Sequence, residues 1–291
     1  MRPPNFRPTN IGVYTLPGLP DAESAAVEMM KFLQDAGIQT FLCTSRSDEC
    51  LRRQMEEETV DLMVALGGDG TMLRAGHLCA PHGVPVLGIN LGHFGFLTEI
   101  ERNDWRRLFP DLLEGNFRIE DRMMLKASHR RGSQTLAEWQ VVNEVVVCRG
   151  QFVRPIRVRA SVDGYLLSAY VADGLIAATP TGSTAYALAV GGPIMPPELH
   201  NILIIPIAPH LSVNRAIILP EGVHVTFTAQ TSHEAVVSVD GQAPVTVLDG
   251  DEVDIEANSH VVSFVRFQDP GYFYRNLTHY MEQNPVTGNR S

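Results

Sequence analysis

A doubly wound α/β half followed by an antiparallel β-rich half is the fold class this sequence predicts. Three observations carry that prediction. Strand and helix signals alternate through the first hundred residues, as right-handed βαβ units require. Val60 to Leu66 is a nearly continuous apolar run, the mark of a strand buried on both faces of a parallel sheet. From about Phe117 the rhythm becomes a succession of short strand-like runs, with Asp-Gly steps at 163–164 and 240–241 that favour tight hairpins.

Asn10 to Thr15 reads as the first strand and Asp21 to Gly37 as a helix. Ala25, Val27, Met29, Phe32 and Leu33 supply its apolar residues, and Gly37 is placed to end it. A strand over Ile38 to Cys43 and a short helix over Glu49 to Glu57 follow. After the buried run at 60–66, Gly70 to Cys79 carries a helical pattern, and Val84 to Ile89 is a second buried strand. In the second half, strands are predicted at Met124 to Arg130, Trp139 to Cys148, Ile156 to Val162, Tyr165 to Val171, Ile176 to Ala178 and Ile202 to Ala208. Ala216 to Leu219, Val223 to Ala229, Ala235 to Val239, Val245 to Val247, Asp251 to Glu256 and Val261 to Phe267 continue the series, with one helical interruption near 184–190.

The 291 residues suggest two domains, and 44% apolar with 19% charged residues is a globular composition. Only the first ten residues and the tail after Tyr280 read as disordered. A formal charge of −10 argues against nucleic acid as a partner, since phosphate-backbone affinity needs a cationic surface. Cys43, Cys50, Cys79 and Cys148 show no metal-ligand spacing and read as free thiols of a reducing compartment. With no signal-peptide core and no membrane-length apolar run, the expectation is a soluble cytoplasmic protein with no membrane partner.

Four stretches carry chemistry. Gly67-Gly68-Asp69-Gly70-Thr71 sits at the carboxyl end of a buried strand and opens a helix, where open parallel sheets bind ligands and helix N–H groups meet phosphates. Asp69 there suits holding Mg²⁺ or taking a proton from an attacking hydroxyl; the plainer alternative is a turn in which it caps the helix. Arg74, one helical turn beyond Gly70, is placed to reach a phosphate or to stand in solvent. Gly88 to Phe96 is a second glycine-rich stretch in which Asn90 supplies an amide and Phe94 and Phe96 offer flat surfaces to a base, or simply pack in the core. Asn143-Glu144 interrupts an apolar strand: Glu144 suits the two hydroxyls of a ribose and Asn143 an adenine edge, unless this edge faces water. Asp173 to Tyr186 runs from a strand through a hydroxyl- and glycine-rich loop into a short helix. Ser183 or Thr184 is a natural N-cap for that helix, and Asp173 can bond a ligand or tie down the loop. The spacing is not the GxGxxG fingerprint, so hydride transfer is not implied.

In order, GGDGT at 67–71, INLGHFGFLTE at 89–99, NEVVV at 143–147, DGLIAATPTGSTAYALAVGGPI at 173–194 and SVDGQ at 238–242 resemble the motif set of the NAD kinase family. GGDGT alone is shared with lipid kinases, but nothing here supplies an amphipathic basic membrane face. A non-catalytic NAD(P) sensor would not need a carboxylate beside the phosphates.

The resemblance implies a Rossmann-like domain over 1–117 with 268–291 packing back on it, a β-rich NAD-binding domain over 118–267, and a site between them. It implies ATP as phosphoryl donor, NAD as acceptor, a divalent cation, usually Mg²⁺, and a homodimer or homotetramer. Residue by residue, it makes Asp69 the general base and places Gly70 and Arg74 in the phosphate loop. Asn143 and Glu144 hold the NAD adenosine, and Asp173 contacts the nicotinamide side. Thr181, Thr184, Ala185, Tyr186 and Ala189 line the binding stretch, Gln242 adds a late contact, and Arg154 falls at a weakly specified contact position. Val171, where many relatives carry a basic residue, and Ala189, which exchanges with serine, are the two departures.

Overall fold

The computed structural model describes residues 6–44, 53, 55, 57, 59–92, 95–210 and 214–283. Most of the helix predicted over 49–57, together with Cys50, His93 and Phe94, lies outside the described residues. The chain divides into two compact units, residues 1–121 with 261–291 and residues 122–260.

The first unit is a parallel sheet with helices. Its strands are β1 (Asn10–Thr15), β2 (Gln39–Thr44), β3 (Leu62–Leu66) and β4 (Val86–Asn90), in the order β2-β1-β3-β4. Ile11 lies opposite both Thr40 and Leu62, and Met63 lies opposite Val86, all in parallel register. Every residue of β3 and β4 is buried, which is why both read as unbroken apolar runs. Asp61, just ahead of β3, accepts the backbone N–H groups of Thr9 (2.8 Å) and Asn10 (3.2 Å). Residues read from composition as disordered are thereby tied to the sheet.

Helix α1 (Pro20–Asp35) starts with proline at its first position, where a missing N–H costs nothing. Chain reversal follows at Gly37, whose φ of +81° is open to glycine. Met29 and Leu33 of α1 join Ile11, Val13, Leu62, Val64, Leu87 and Ile89 in one core. Helix α2 (Asp69–Cys79) follows β3. A two-residue strand, β5 (Ile100–Glu101), and helix α3 (Trp105–Glu114) come next. The sequence analysis assigns no element to this stretch, and Pro110 lies inside the helix. Trp105, Phe109 and Leu112 nevertheless form a buried stripe, and Trp105 packs edge-on against Phe32 at 5.3 Å.

The second unit is antiparallel. It contains β6 (Arg118–Arg131), β7 (Gln134–Val141), β8 (Glu144–Arg149), β9 (Ile156–Val162), β10 (Tyr165–Ala172), β11 (Gly174–Ala178) and β12 (Asn201–Ile207). They are followed by β13 (Ile217–Pro220), β14 (Val225–Gln230), β15 (Ala235–Val239), β16 (Val245–Val247) and β17 (Glu252–Arg266). One sheet runs β13-β12-β11-β8-β15-β16, and the other pairs β10, β9, β14 and β17 in turn. Val145, Val147, Leu175, Ala177, Ile202 and Ile204 of the first share a core with Val158, Ala160, Tyr170, Phe227 and Ile255 of the second. The intervening residues Val146, Ile176, Ala178, Leu203 and Ile205 face the other way and pack with Ala187 and Met195. Period-two alternation thus buries both faces of the β8–β11–β12 sheet, and the 182–195 segment covers one of them.

The predicted strands at 251–256 and 261–267 form one 15-residue strand, β17. Its polar stretch 257–260 reads as a turn locally, but the chain stays extended through it. β6 and β17 each begin in one unit and end in the other. The last helix, α5 (Tyr272–Gln283), was also not foreseen, and it continues three residues beyond Tyr280.

Asp251 is the polar anchor of the second unit. Its carboxylate, 1% exposed, accepts Nε of Arg131 (2.7 Å), the Leu248 N–H (2.9 Å) and a bond with buried His129 Nε2 (2.9 Å). Burial by itself raises an acid; here the bonds from Arg131, Leu248 and His129 overcome it and hold the carboxyl well below the usual range. A depressed carboxylate stabilises the fold above its ordinary pKa, and that contribution is lost as pH falls through the native value. Asp251→Asn is therefore expected to cost about 1–3 kcal/mol at pH 7 and to flatten the acid limb of a melting-temperature profile below pH 4, measured by calorimetry.

Candidate functional site

The carboxyl ends of β3 and β4 carry the first set of residues. Gly67 adopts φ +154°, and a Cβ there would drive into the Thr71 side chain, so the turn out of β3 requires glycine. Its N–H donates to Ile89 O at 3.0 Å, joining this turn to the end of β4. Gly68 is the extended N-cap of α2, which no side chain caps. Asp69 does not cap its own helix: its two carboxylate oxygens accept the N–H groups of Phe96 (3.0 Å) and Leu97 (3.1 Å). A Cβ on Gly95 would overlap that carboxylate, so the second glycine-rich stretch is shaped around Asp69. Gly70 and Arg74 stand exposed on the first turns of α2.

In the second stretch the structure turns Asn90 inward and decides between the two readings of Phe96 in favour of the core. Asn90 turns its amide on its own loop, accepting the Gly92 N–H at 3.0 Å and donating to Gly92 O at 3.1 Å. Phe96 is buried, 8% exposed, and offers little surface to a base.

The second set lies in the antiparallel unit. Asn143 and Glu144 sit at the entry to β8, and Asp240 holds the segment by its backbone. One carboxylate oxygen takes the N–H groups of Asn143 (2.8 Å) and Glu144 (2.9 Å), and the other takes that of Val142 (2.7 Å). Asp240 (φ +48°) and Gly241 (φ +70°) form the left-handed turn that the Asp-Gly step foretold. From the far side, Thr179 donates its N–H to Asn143 O (2.8 Å) and its hydroxyl to Val142 O (2.6 Å). Gly182 approaches so closely that a Cβ would strike the Asn143 backbone.

Glu144 is 7% exposed, and its Oε2 has no hydrogen-bond partner among the described residues. Burial first, and then the negative charge of Asp240, push its carboxyl up to about 8 against one bond from the Tyr186 backbone N–H. A buried acid with an unsatisfied oxygen is costly in a resting fold. It is the natural partner of a ligand hydroxyl.

The hydroxyl-rich loop begins with a 3₁₀ turn at Gly182–Thr184, followed by α4 (Tyr186–Ala189). Neither Ser183 nor Thr184 caps α4; the N-cap position belongs to Ala185, without a side-chain bond. Ser183 Oγ instead donates to Pro180 O (2.6 Å) and accepts the Met195 N–H (2.9 Å), and Thr184 Oγ1 donates to Thr181 O (3.0 Å). The hydroxyls build the loop rather than cap its helix. Thr181 and Thr184 are buried, Ala185 is half-buried, and Tyr186 and Ala189 are exposed.

Asp173, half-buried between β10 and β11, pairs with Arg149 Nε at 3.2 Å and accepts the Arg149 N–H on its own carbonyl at 2.9 Å. Gln242 is exposed on the turn after β15, where its carbonyl accepts Ser238 Oγ at 2.9 Å. Arg154 is exposed, and its backbone carbonyl lies 3.1 Å from His233 Nε2. Asp69, Gly70 and Arg74 thus gather in the first unit. Asn143, Glu144, Thr181, Thr184, Ala185, Tyr186 and Ala189 gather around β8 and β11 in the second, with Asp173, Gln242 and Arg154 on its neighbouring turns. Sequence reasoning passes over Asp240, Thr179 and Gly182 as site builders, and gives Ser183 a cap in place of its bonds to Pro180 and Met195. The signal for Asp240 was its Asp-Gly step, which was read as a turn and not as a clamp.

Comparison with known proteins bears on the whole chain. The model of the ATP-NAD kinase N-terminal domain matches residues 25–117, and that of the ATP-NAD kinase C-terminal domain matches residues 142–267. An NAD kinase of Heliobacterium modesticaldum is 40% identical over 282 residues, 94% of this chain and 98% of that protein. One from Moorella thermoacetica is 37% identical over 261 residues, 87% of this chain and 83% of that protein. The solved structure of an Archaeoglobus fulgidus NAD kinase in complex with ATP superposes with a TM-score of 0.73 at 26% identity, covering 94% of this chain and 99% of that one. Yeast NADH kinase complexed with NADH shares the fold, with a TM-score of 0.84 at 24% identity over 98% of this chain and 90% of its own. Two family models spanning both units, and relatives matched along nearly their full length, lead to one conclusion: this chain belongs to the NAD kinase family.

Proposed function

We propose that this enzyme transfers the γ-phosphoryl group of ATP to the adenosine-ribose 2′-hydroxyl of NAD, with Asp69 as general base. The observation that supports it best is the pair of preset carboxyls. Asp69 is fixed by two backbone N–H groups in a glycine-rich phosphate turn, and Glu144 is buried with one oxygen unsatisfied. Phosphoryl transfer asks for alignment and charge stabilisation, and little covalent chemistry.

Glu144 and Asn143 hold the adenosine, and Tyr186 borders it. Thr181, Thr184, Ala185, Ala189 and Gln242 line the ligand's path, with Asp173 toward the nicotinamide end and Arg154 at its margin. Asp69 takes the proton as the 2′-oxygen bonds to the γ-phosphorus and the bond to the β-phosphate oxygen breaks, leaving ADP. Gly70 and Arg74 face the phosphates. Among the described residues no three His, Cys, Asp or Glu side chains converge as a metal cage. A bound divalent cation, usually Mg²⁺, would supply charge neutralisation at the ATP phosphates.

A homodimer or homotetramer working in the cytoplasm completes the proposal. Large apolar side chains exposed at Val153 and Tyr165 are consistent with assembly, which light scattering measures. Among the described residues no helix is long and apolar enough to cross a membrane.

The decisive assay couples NADP formation from ATP, Mg²⁺ and NAD to an NADP-specific dehydrogenase. Asp69→Asn is expected to lower kcat by about 10²–10⁴-fold while NAD affinity, read by calorimetry, stays within a few-fold. A mutant turning over near the wild-type rate removes Asp69 from the role.

Glu144 gives a second test. With its carboxyl raised to about 8, the ligand-free protein keeps Glu144 neutral at pH 7. Its contribution to stability is present below the ordinary carboxylate pKa and is lost as pH rises through 8. Ribose hydroxyls that donate to Glu144 favour its ionised form, so NAD binding releases protons. Affinity is expected to rise from pH 6 to 8 by up to about tenfold per unit, with proton release seen by calorimetry in buffers of different ionisation enthalpy. In Glu144→Gln the pH dependence disappears; its persistence there assigns the proton to another group.

A further inference from the structure

Arg266, the last residue of β17, is fully buried, yet it lies outside every motif the sequence singled out. Its Nε donates to Glu120 Oε1 (3.2 Å), and its Nη1 donates both to Glu99 Oε2 (3.2 Å) and to the backbone carbonyl of Leu97 (3.0 Å). Glu99 in turn accepts the N–H groups of Phe267 (2.8 Å) and Gln268 (3.2 Å), and its own N–H donates to Gly88 O in β4 (3.0 Å). The rings of Phe264 and Tyr272 lie against the guanidinium at 5.3 Å each.

Leu97 joins this network to the glycine-rich turn. Its carbonyl is held by Arg266 and its N–H holds Asp69 Oδ1 (3.1 Å). Stability alone is a poor reason for such an arrangement. Apolar residues of similar volume commonly do as well as a buried ion pair or better, and Nη2 of Arg266 has no hydrogen-bond partner among the described residues. What an arginine supplies and an apolar side chain does not is a directed donor at the Leu97 carbonyl.

We infer that Arg266 is a positioning residue for the reaction: it fixes Leu97, and through Leu97 the orientation of the Asp69 carboxylate. The inference rests on the reading of Asp69 as general base. The clamp acts on the base and not on the adenosine-binding residues, so its loss falls on kcat rather than on KM for NAD. A carboxylate that loses an N–H donor also holds its proton more tightly, which moves the acid limb of the kcat profile to higher pH.

The test compares Arg266→Lys with the double variant Arg266→Met/Glu99→Gln, which leaves no carboxylate at position 99 stranded. Glu120→Gln loosens Arg266 without removing it and serves if neither of these folds. Arg118→Gln is the control, because Arg118 bonds the same Glu120 (3.1 Å) but not Leu97. In the variants that fold, judged by circular dichroism and melting temperature, kcat is expected to fall about 10–100-fold, with KM for NAD within threefold and the acid limb displaced upward. Glu120→Gln shows the same signs at smaller size, and Arg118→Gln leaves kcat near wild type. The Phe96 and Leu97 amides are expected to exchange with deuterium at least tenfold faster in the Arg266 variants.

Wild-type kcat, pH profile and amide exchange in the folded variants overturn the inference, as does an equal kcat loss in Arg118→Gln. If the wild-type protein makes no NADP, the phosphotransfer reading falls. Amide exchange then decides by itself whether Arg266 holds the Asp69 loop.

Discussion

Acidic side chains that accept consecutive backbone N–H groups hold the motif-bearing segments of this protein in place. Asp69 takes Phe96 and Leu97, Asp240 takes Val142, Asn143 and Glu144, and Glu99 takes Phe267 and Gln268. A carboxylate offers two oxygens with several acceptor directions, and a bond from N–H to an ionised acceptor is stronger than one between neutral groups. Each clamp joins segments far apart in sequence, 27 or more residues for Asp69 and about a hundred for Asp240. Loops that carry the family motifs are held in the fold in this way without regular ladders of their own.

The clamps stand on closely packed, buried strands. In the first unit, two strands buried on both faces end side by side, and the turns leaving them meet through Gly67 and Ile89. In the second, alternation along β8, β11 and β12 fills one core with Val145, Leu175 and Ile202 and another with Val146, Ile176 and Leu203. That second core seats the hydroxyl-rich loop, so the loop is fixed by packing below and by Thr179 and Ser183 along its length. Glycine appears where backbones must touch: Gly182 against Asn143, and Gly95 against the Asp69 carboxylate.

Charge is handled unevenly between these elements. Asp251 is over-bonded and stays ionised at low pH, whereas Glu144 is under-bonded beside Asp240 and holds a proton near neutrality. The first arrangement serves the fold. The second leaves an acid with one oxygen unsatisfied among the described residues, a cost to the resting fold. Arg266 belongs to a third kind, a buried cation whose carboxylate partners offset its charge while Nη1, which also bonds Glu99, reaches a backbone carbonyl.

By itself the sequence determined the alternation of strands and helices, the buried character of β3 and β4, the Asp-Gly turns and the family motifs. All of these are local: each depends on apolar period, on glycine geometry or on residue order within a short window. It left out α3, whose buried Trp105–Phe109–Leu112 stripe has helical spacing, and it split β17, where pairing overrides a polar stretch. It also gave Ser183 and Thr184 to a helix cap and Asn90 to a ligand, when their bonds serve the loops themselves. Only the tertiary structure decided that Asp69 is gripped by residues 96 and 97, that Asp240 clamps Asn143-Glu144, and that Arg266 anchors Leu97. Those contacts join residues 27 to 169 positions apart, and no local pattern encodes a hydrogen bond whose partners meet only when the chain has folded.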